Sequence, residues 1–361
     1  MIVESIDLKN YRNYEILDMK FDSKTNIIYG DNAQGKTNIL EALYVCATTK
    51  SHRGSKDREI ISFDKEESHI KVMVKKNGIS YRIDMHLKRN KSKGIAVNGI
   101  PIKKSVELFG IINIIFFSPE DLNIIKNGPS ERRRFMDMEL SQLDKIYLHN
   151  LINYNKVLVQ RNKLLKDISF NGKNLETLDI WDMQLVSYGT KIIERRMQFV
   201  EQLNSIIYDI HKSLSGDKES LKLSYVPSVK PEEFEKMIHD TRERDIRLKA
   251  TGCGPHKDDI SFFIQDRELR KYGSQGQQRT AALSLKLAEI ELVRQVINDT
   301  PILLLDDVLS ELDSNRQNFL LNSIGDIQTI ITCTGLEEFI NNRFNINKIY
   351  KVINGQVFPE N

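Results

Sequence analysis

Gly30-Asp31-Asn32-Ala33-Gln34-Gly35-Lys36-Thr37 spaces two glycines, a lysine and a hydroxyl as a main chain must if it is to curl around a polyphosphate. The glycines let successive N–H groups point inward, and a helix starting here adds the positive end of its dipole. Lys36 is then the group that reaches the β and γ phosphates, and Thr37 the ligand for Mg2+, so the chemistry is that of a nucleoside triphosphate. Far downstream, Ile302-Leu303-Leu304-Leu305 ends on Asp306-Asp307. Carboxylates at the end of a buried parallel strand lie where ligands bind. Asp306 suits the metal, and Asp307 is placed to orient or deprotonate an attacking water; a plain turn or helix cap is the alternative for both acids. Between these motifs, Ser274-Gln275-Gly276-Gln277-Gln278 opens an amphipathic helix. Ser274 as its N-cap makes either a second anion site or an ordinary capped helix.

The elements that would position these residues follow from periodicity. Asn26-Ile27-Ile28-Tyr29 reads as a buried strand entering the loop, and Asn38 to Tyr44 repeats at helical spacing after it. Residues 71–76, 81–85 and 94–99 alternate and turn like antiparallel strands. From about 130 to 250 the period is helical: Phe135, Met138, Leu143, Ile146, Tyr147, Leu151 and Tyr154 in one stretch, and Trp181 to Ile210 in another. Asn171-Gly172 marks the turn between them, Gly216 the end of the second, and Pro231 the start of a third. Ala281, Leu285, Ala288, Leu292 and Val296 form one face of the helix after Ser274. The resulting division is 1–125, a nucleotide-binding head segment with antiparallel strands; 126–250, a helical arm; and 251–361, the rest of the head.

The capped serine-x-glycine element resembles the signature of ATP-binding-cassette proteins, which covers the γ-phosphate held by the opposite subunit. Ser310-Glu311-Leu312-Asp313 resembles that superfamily's D-loop. Ile6-Asp7-Leu8-Lys9-Asn10-Tyr11-Arg12-Asn13-Tyr14 is similar to the first strand of SMC-like heads, and more closely to the RecF family. The similarity continues through Ala47 to Arg53, Phe117 to Leu122, Gly128 to Phe135, Gly254-Pro255-His256-Lys257-Asp258-Asp259 and Leu304 to Asp313, nearly the whole chain. It implies an α/β fold: an ABC-type, SMC-like P-loop ATPase head with an antiparallel β subdomain and an inserted helical arm. It also implies an ATP-dependent homodimer that holds single-stranded DNA and gapped duplex and, with RecO and RecR, promotes RecA loading in recombinational repair. Lys257 departs from the family's arginine, and Cys333-Thr334 stands where transporter ATPases carry a switch histidine. With Asp307 in place of a glutamate, slow, weak DNA-stimulated hydrolysis is expected. The arm is too short for an SMC coiled coil.

A net charge of +3 permits nucleic-acid binding without arguing for it. Local groups are more suggestive: Lys88, Arg89, Lys91 and Lys93; Arg132, Arg133 and Arg134; and Lys156, Arg161, Lys163 and Lys166. Solvated faces would look the same, so the DNA reading rests chiefly on the resemblance. Arg12 and Arg53 are further candidates for phosphate. No long apolar run or leader is present, which predicts a cytoplasmic protein without a membrane partner, and the resemblance implies nucleoid association. Cys46, Cys253 and Cys333 lack metal or disulfide spacing and read as buried thiols. His256 is as compatible with a structural place as with a nucleotide or an interface. Competing readings are an ABC-type ATPase subunit of another assembly, such as a transporter, and a monomeric P-loop phosphotransferase.

Overall fold

Alternation, interrupted by a register shift between Val3 and Ser5, builds the first layer of the computed structural model, which describes residues 1–172, 175–336 and 346–360. Strands β1 (Ile2–Tyr11) and β2 (Tyr14–Lys20) form a tight hairpin in which Ile6, Leu8, Leu17 and Met19 face inward. β3 (Thr25–Tyr29) is buried on both sides and runs through the 30–35 loop into α1 (Lys36–Thr48); a short α2 (Asp57–Ile60) follows. β4 (Glu67–Lys76), β5 (Ile79–Lys88), β6 (Lys91–Val97) and β7 (Ile100–Pro101) complete an antiparallel sheet of order β2-β1-β4-β5-β6-β7. β8 (Ile114–Phe117) belongs to the second sheet.

Helices then take over: α3 (Leu122–Lys126), α4 (Pro129–Leu143), α5 (Lys145–Asn171) and α6 (Leu175–Leu214). At 40 residues α6 extends about 60 Å. The apolar stretch from Phe135 to Tyr154, expected as one run, is broken at Asp144, whose carboxylate caps α5 by accepting from the N–H groups of Ile146 and Tyr147. The break resets the helix face, leaving Ile146 74% exposed. Gly172 and Gly216 both adopt left-handed backbone after their helices. β9 (Leu221–Val226), α7 (Phe234–Asp240), α8 (Arg242–Leu248), β10 (Asp259–Ile264), β11 (Arg267–Glu268) and α9 (Leu269–Tyr272) lead to α10 (Gln275–Ile297). β12 (Ile302–Asp306), α11 (Ser314–Ile324), β13 (Thr329–Cys333), β14 (Lys348–Ile353) and β15 (Gln356–Glu360) close the chain.

The head sheet has the order β15-β14-β3-β13-β12-β8, parallel from β14 to β8 with β15 antiparallel at its edge. Two compact units emerge: Met1–Asp121 with Glu289–Asn361, and Leu122–Ala288. The second unit therefore runs past residue 250. β9, inside the expected arm, pairs antiparallel with β10 beyond it and ties residues 259–264 to the arm helices. The break falls within α10. That helix is buried on every side from Ala281 to Ile290, whereas Val296, expected on its apolar face, is 42% exposed.

A buried ion-pair network holds the arm unit. Arg161, fully buried, donates to Asp182 at 2.6 Å, Asp245 at 2.7 Å and Thr251 at 2.8 Å. All three cysteines are buried thiols outside any disulfide, and burial pushes the Cys253 thiol up to about 11. No helix among the described residues is long and apolar enough to cross a membrane.

Candidate functional site

The loop between β3 and α1 is shaped by contacts that only glycine allows. Gly30 and Gly35 have φ of 149° and 113°. A Cβ on Gly30 would lie 2.4 Å from the Val352 carbonyl oxygen, and one on Gly35 would lie 2.4 Å from Asn13 Nδ2 and 2.9 Å from Tyr14 Oη. Asn13 and Tyr14, at the β1–β2 turn, hold the loop from outside: Asn13 donates to the Gln34 carbonyl at 2.8 Å and Tyr14 to the Gly35 carbonyl at 3.1 Å. Asn38 donates to Asn13 Oδ1, and Asn354, in the β14–β15 hairpin, donates its N–H to Gln34 Oε1 at 2.5 Å. Sequence reasoning missed these buttresses, although Asn13-Tyr14 lay in a block already singled out.

Lys36 Nζ folds back over the loop and donates to the carbonyls of Gly30 at 2.5 Å and Asp31 at 2.8 Å. Burial lowers its pKa, opposed by the charge of Asp307. Thr37 Oγ1 donates to Asp306 Oδ1 at 2.7 Å, and Thr332 Oγ1, at the end of the adjacent strand, donates to the same oxygen at 2.7 Å. Asp307 has left-handed backbone, φ 54°, and its N–H donates to the Thr332 carbonyl at 3.1 Å. Burial raises the Asp307 carboxyl, with Lys36 pulling the other way. Asn32, Ala33, Gly35, Lys36, Thr37, Asn38, Arg53, Asp306, Asp307 and Thr332 enclose a polar cavity of about 290 Å³. The donor set fits ATP with Mg2+: main-chain N–H groups and an ammonium for phosphate, and a hydroxyl already paired with a carboxylate for a hard cation.

Arg53 lines this cavity, donating to Asn38 Oδ1 at 3.3 Å. Arg12 does not line it. It clamps Glu41 of α1 through two bonds, 2.8 and 2.7 Å, while also donating to Ser55 and to the Glu59 carbonyl. Ser51 donates to the same carboxylate at 2.5 Å. Burial alone would raise the Glu41 carboxyl, but the bonds from Arg12 and Ser51 outweigh it and the pKa is lowered.

Ser274 caps α10 in a reciprocal box: Gln277 N–H donates to Ser274 Oγ at 3.2 Å and Ser274 N–H to Gln277 Oε1 at 2.8 Å. Ser274, Gln275 and Gly276 are exposed, while Gln277 Nε2 also donates to Glu219 at 2.8 Å. In the segment expected to be a D-loop, Ser310 Oγ donates to the Asp307 carbonyl at 2.8 Å and Asp313 caps α11.

Several basic residues proposed for DNA are occupied within the fold. Arg132 is 2% exposed, pairs twice with Asp259 at 2.6 and 2.9 Å and also donates to two main-chain carbonyls, so it has nothing to offer a phosphate. Arg133 is half-buried and donates to the Asp258 carbonyl at 2.7 Å, whereas Arg134 is exposed. Arg161 is core, Arg89 donates to the carbonyls of Ser62, Phe63 and Lys65, and Lys93 pairs with Asp57. Apart from the exposed Lys257, the Gly-Pro-His block is likewise internal. Asp258, fully buried, accepts from Arg196 at 3.3 Å and from Tyr225, and His256 accepts from Tyr154 at 2.6 Å while facing the Thr251 carbonyl at 3.1 Å. Burial lowers the His256 pKa to about 4.

The sequence matches the family described as "RecF/RecN/SMC N terminal domain" over residues 2–357. It is 72% identical, over 363 residues covering the whole of both chains, to the DNA replication and repair protein RecF of Lachnospira eligens. The chain belongs to the RecF family. Its fold agrees: a structure of the recombination mediator protein RecF–ATP in the RecFOR pathway superposes with a TM-score of 0.93 at 35% identity, over 100% of this chain and 98% of that one. The Smc head domain of Pyrococcus furiosus, 16% identical with a TM-score of 0.57 over 99% and 96% of the two chains, shares the fold alone. The α/β head with its antiparallel sheet and helical arm is therefore that of a RecF-type, SMC-like ATPase.

In this RecF-family chain, Thr332 joins the polar site, a residue that sequence reasoning missed. Its signal was a hydroxyl at the C-terminal end of a strand that neighbours both the loop strand β3 and the Asp306 strand β12.

Proposed function

We propose that this protein is an ATP-gated DNA-binding switch of recombinational repair, acting with RecO and RecR to promote RecA loading. The observation that carries the reading is the joining of Thr37 and Thr332 on one oxygen of Asp306 beneath a glycine-shaped loop that Lys36 fills. The likeness of the whole chain to the RecF–ATP structure supports it. ATP supplies phosphate oxygens for the loop N–H groups and Lys36, and Mg2+ supplies charge neutralisation next to Thr37 and Asp306. Lys36 must then release the Gly30 and Asp31 carbonyls, exchanging neutral acceptors for charged ones. Asp307 orients the attacking water; a short carboxylate with no histidine beside it makes hydrolysis slow.

Ser274, Gln275, Gly276 and Gln277 at the capped start of α10 are the group offered to the nucleotide bound by a second copy, and the exposure of the first three suits that contact, so ATP favours the dimer and hydrolysis releases it. Ser310 and Asp313, which belong to the other unit, are offered to a second copy in their own right. Single-stranded DNA and gapped duplex are the proposed cargo of the dimer. Arg134 remains the candidate contact of the arginine triplet.

Anisotropy of a labelled gapped duplex, titrated with and without Mg-ATP, tests this. Binding that requires ATP and disappears in Ser274→Arg is expected. Equal binding without nucleotide, or in the variant, would overturn the gating.

A further inference from the structure

β4 and β5 present an outward face unrelated to the nucleotide site. Period-two alternation sends Ser68, Ile70 and Val72 inward and leaves Glu67, His69 and Lys71 outward, with Asp84, His86 and Lys88 opposite them. His69 and His86 are direct cross-strand partners, and Glu67 sits two residues before His69 on the same face. The two imidazoles stack with centroids 4.0 Å apart and planes 22° apart. One carboxylate serves both rings: Glu67 Oε2 lies 2.9 Å from His86 Nε2, and Oε1 lies 3.8 Å from His69 Nε2. One donor atom from each of the three side chains falls within 4.8 Å of the others.

We propose that Glu67, His69 and His86 form a binding site for a borderline divalent transition metal of the Zn2+ class. Two imidazole nitrogens and one carboxylate oxygen are the donors such ions take, whereas Mg2+ and Ca2+ call for oxygen throughout. Backbone pairing fixes the positions of both histidines, so little side-chain freedom is lost on binding. Three protein ligands leave a coordination position open, and His69 and His86 also line a groove of about 740 Å³ on this face, together with Asp7, Lys71 and Asp84. A metal here would staple β4 to β5 and present that position to the groove. Two cations oppose it: Lys88 Nζ is 4.0 Å from Glu67 Oε2, and Lys9 lies across from His69 on β1. They make the site weaker than a structural zinc centre and supply a diagnostic.

The test is a titration of the chelator-treated full-length protein with Co2+, followed by its d–d absorption and by Zn2+ competition. The wild type is expected to take up one equivalent that His69→Ala/His86→Ala lacks. Each single histidine variant and Glu67→Gln should bind at least about tenfold more weakly, and Lys88→Ala should bind more tightly. Circular dichroism shows whether each variant keeps its sheet. Glu67→Gln, which preserves side-chain volume, remains decisive if a histidine variant does not fold. Uptake unchanged in Glu67→Gln and in the double variant, or no uptake by the wild type at equimolar metal, would overturn the assignment. Weaker binding in Lys88→Ala would do the same.

Discussion

Replacing Arg12 with alanine separates two roles that one arginine beside a nucleotide loop can have. Its guanidinium pairs twice with Glu41, a carboxylate with no exposed surface, and is itself 20% exposed. Removing one partner of a buried pair costs about 3–5 kcal/mol, and the partial exposure of Arg12 argues for the lower end, about 3 kcal/mol. In a unit of this size each kcal/mol moves the midpoint by about 2–4 °C, so Arg12→Ala should melt about 6–12 °C lower with no nucleotide present. Adding Glu41→Gln should restore much of the loss, since most of it comes from the stranded charge. The pH dependence has a definite sign. Glu41 has a folded pKa below its ordinary 4.5, so its contribution is complete above that value and fades as pH falls through the folded pKa. The gap between wild type and Arg12→Ala should therefore narrow in acid as Glu41 protonates. Thermal melts of wild type, both single variants and the double across pH 4–8 measure all of this. A nucleotide-free Arg12→Ala melting within 2 °C of wild type, with only ATP affinity reduced, would refute the reasoning and return Arg12 to the phosphate.

Lys36→Met should lower ATP affinity by about 100-fold, the worth of charge-assisted bonds to phosphate, while Ser274→Arg keeps wild-type affinity but fails to dimerise; calorimetry and analytical ultracentrifugation read the two. His256, neutral in the fold, has a pKa of about 4 against an ordinary 6.5, so stability is complete above 6.5 and falls between 6.5 and 4, by about 3 kcal/mol at most. His256→Gln should flatten that stretch of the urea-unfolding profile relative to wild type. Arg132→Ala should lower thermal stability by stranding Asp259, and a wild-type melting temperature in that variant would count against the pairing. Arg134→Ala should reduce the salt dependence of DNA binding, read by anisotropy across salt concentrations.

What could be read from the chain depended on the range of the interaction. The phosphate loop, the strand before it and the Asp306 strand are local: glycine spacing, four aliphatics and two acids fall within single windows, and the elements lie where periodicity put them. Arg12, Arg132 and Arg161 also stood in recognisable stretches. Their carboxylate partners are Glu41, Asp259, and Asp182 with Asp245, far enough along the chain that no local window contains both ends. A basic residue seen alone looks like a surface charge, and only the tertiary fold reveals it as half of a buried pair. The same limit hid β9, whose pairing with β10 extends the second unit past residue 250, and Asn13, whose contact with the loop depends on the β1–β2 turn meeting it.

The main chain at Asp307 bears on the choice of acid itself. Left-handed backbone is tolerated better by aspartate and asparagine than by longer side chains, because their short polar ends bond locally. Lengthening the carboxylate to glutamate would therefore extend its reach into the cavity and, at the same time, disfavour the conformation that aims it. Reactivity and backbone shape are antagonists at this residue. Any redesign that sought a longer acid here would have to reshape the end of β12 before it could profit from the added reach.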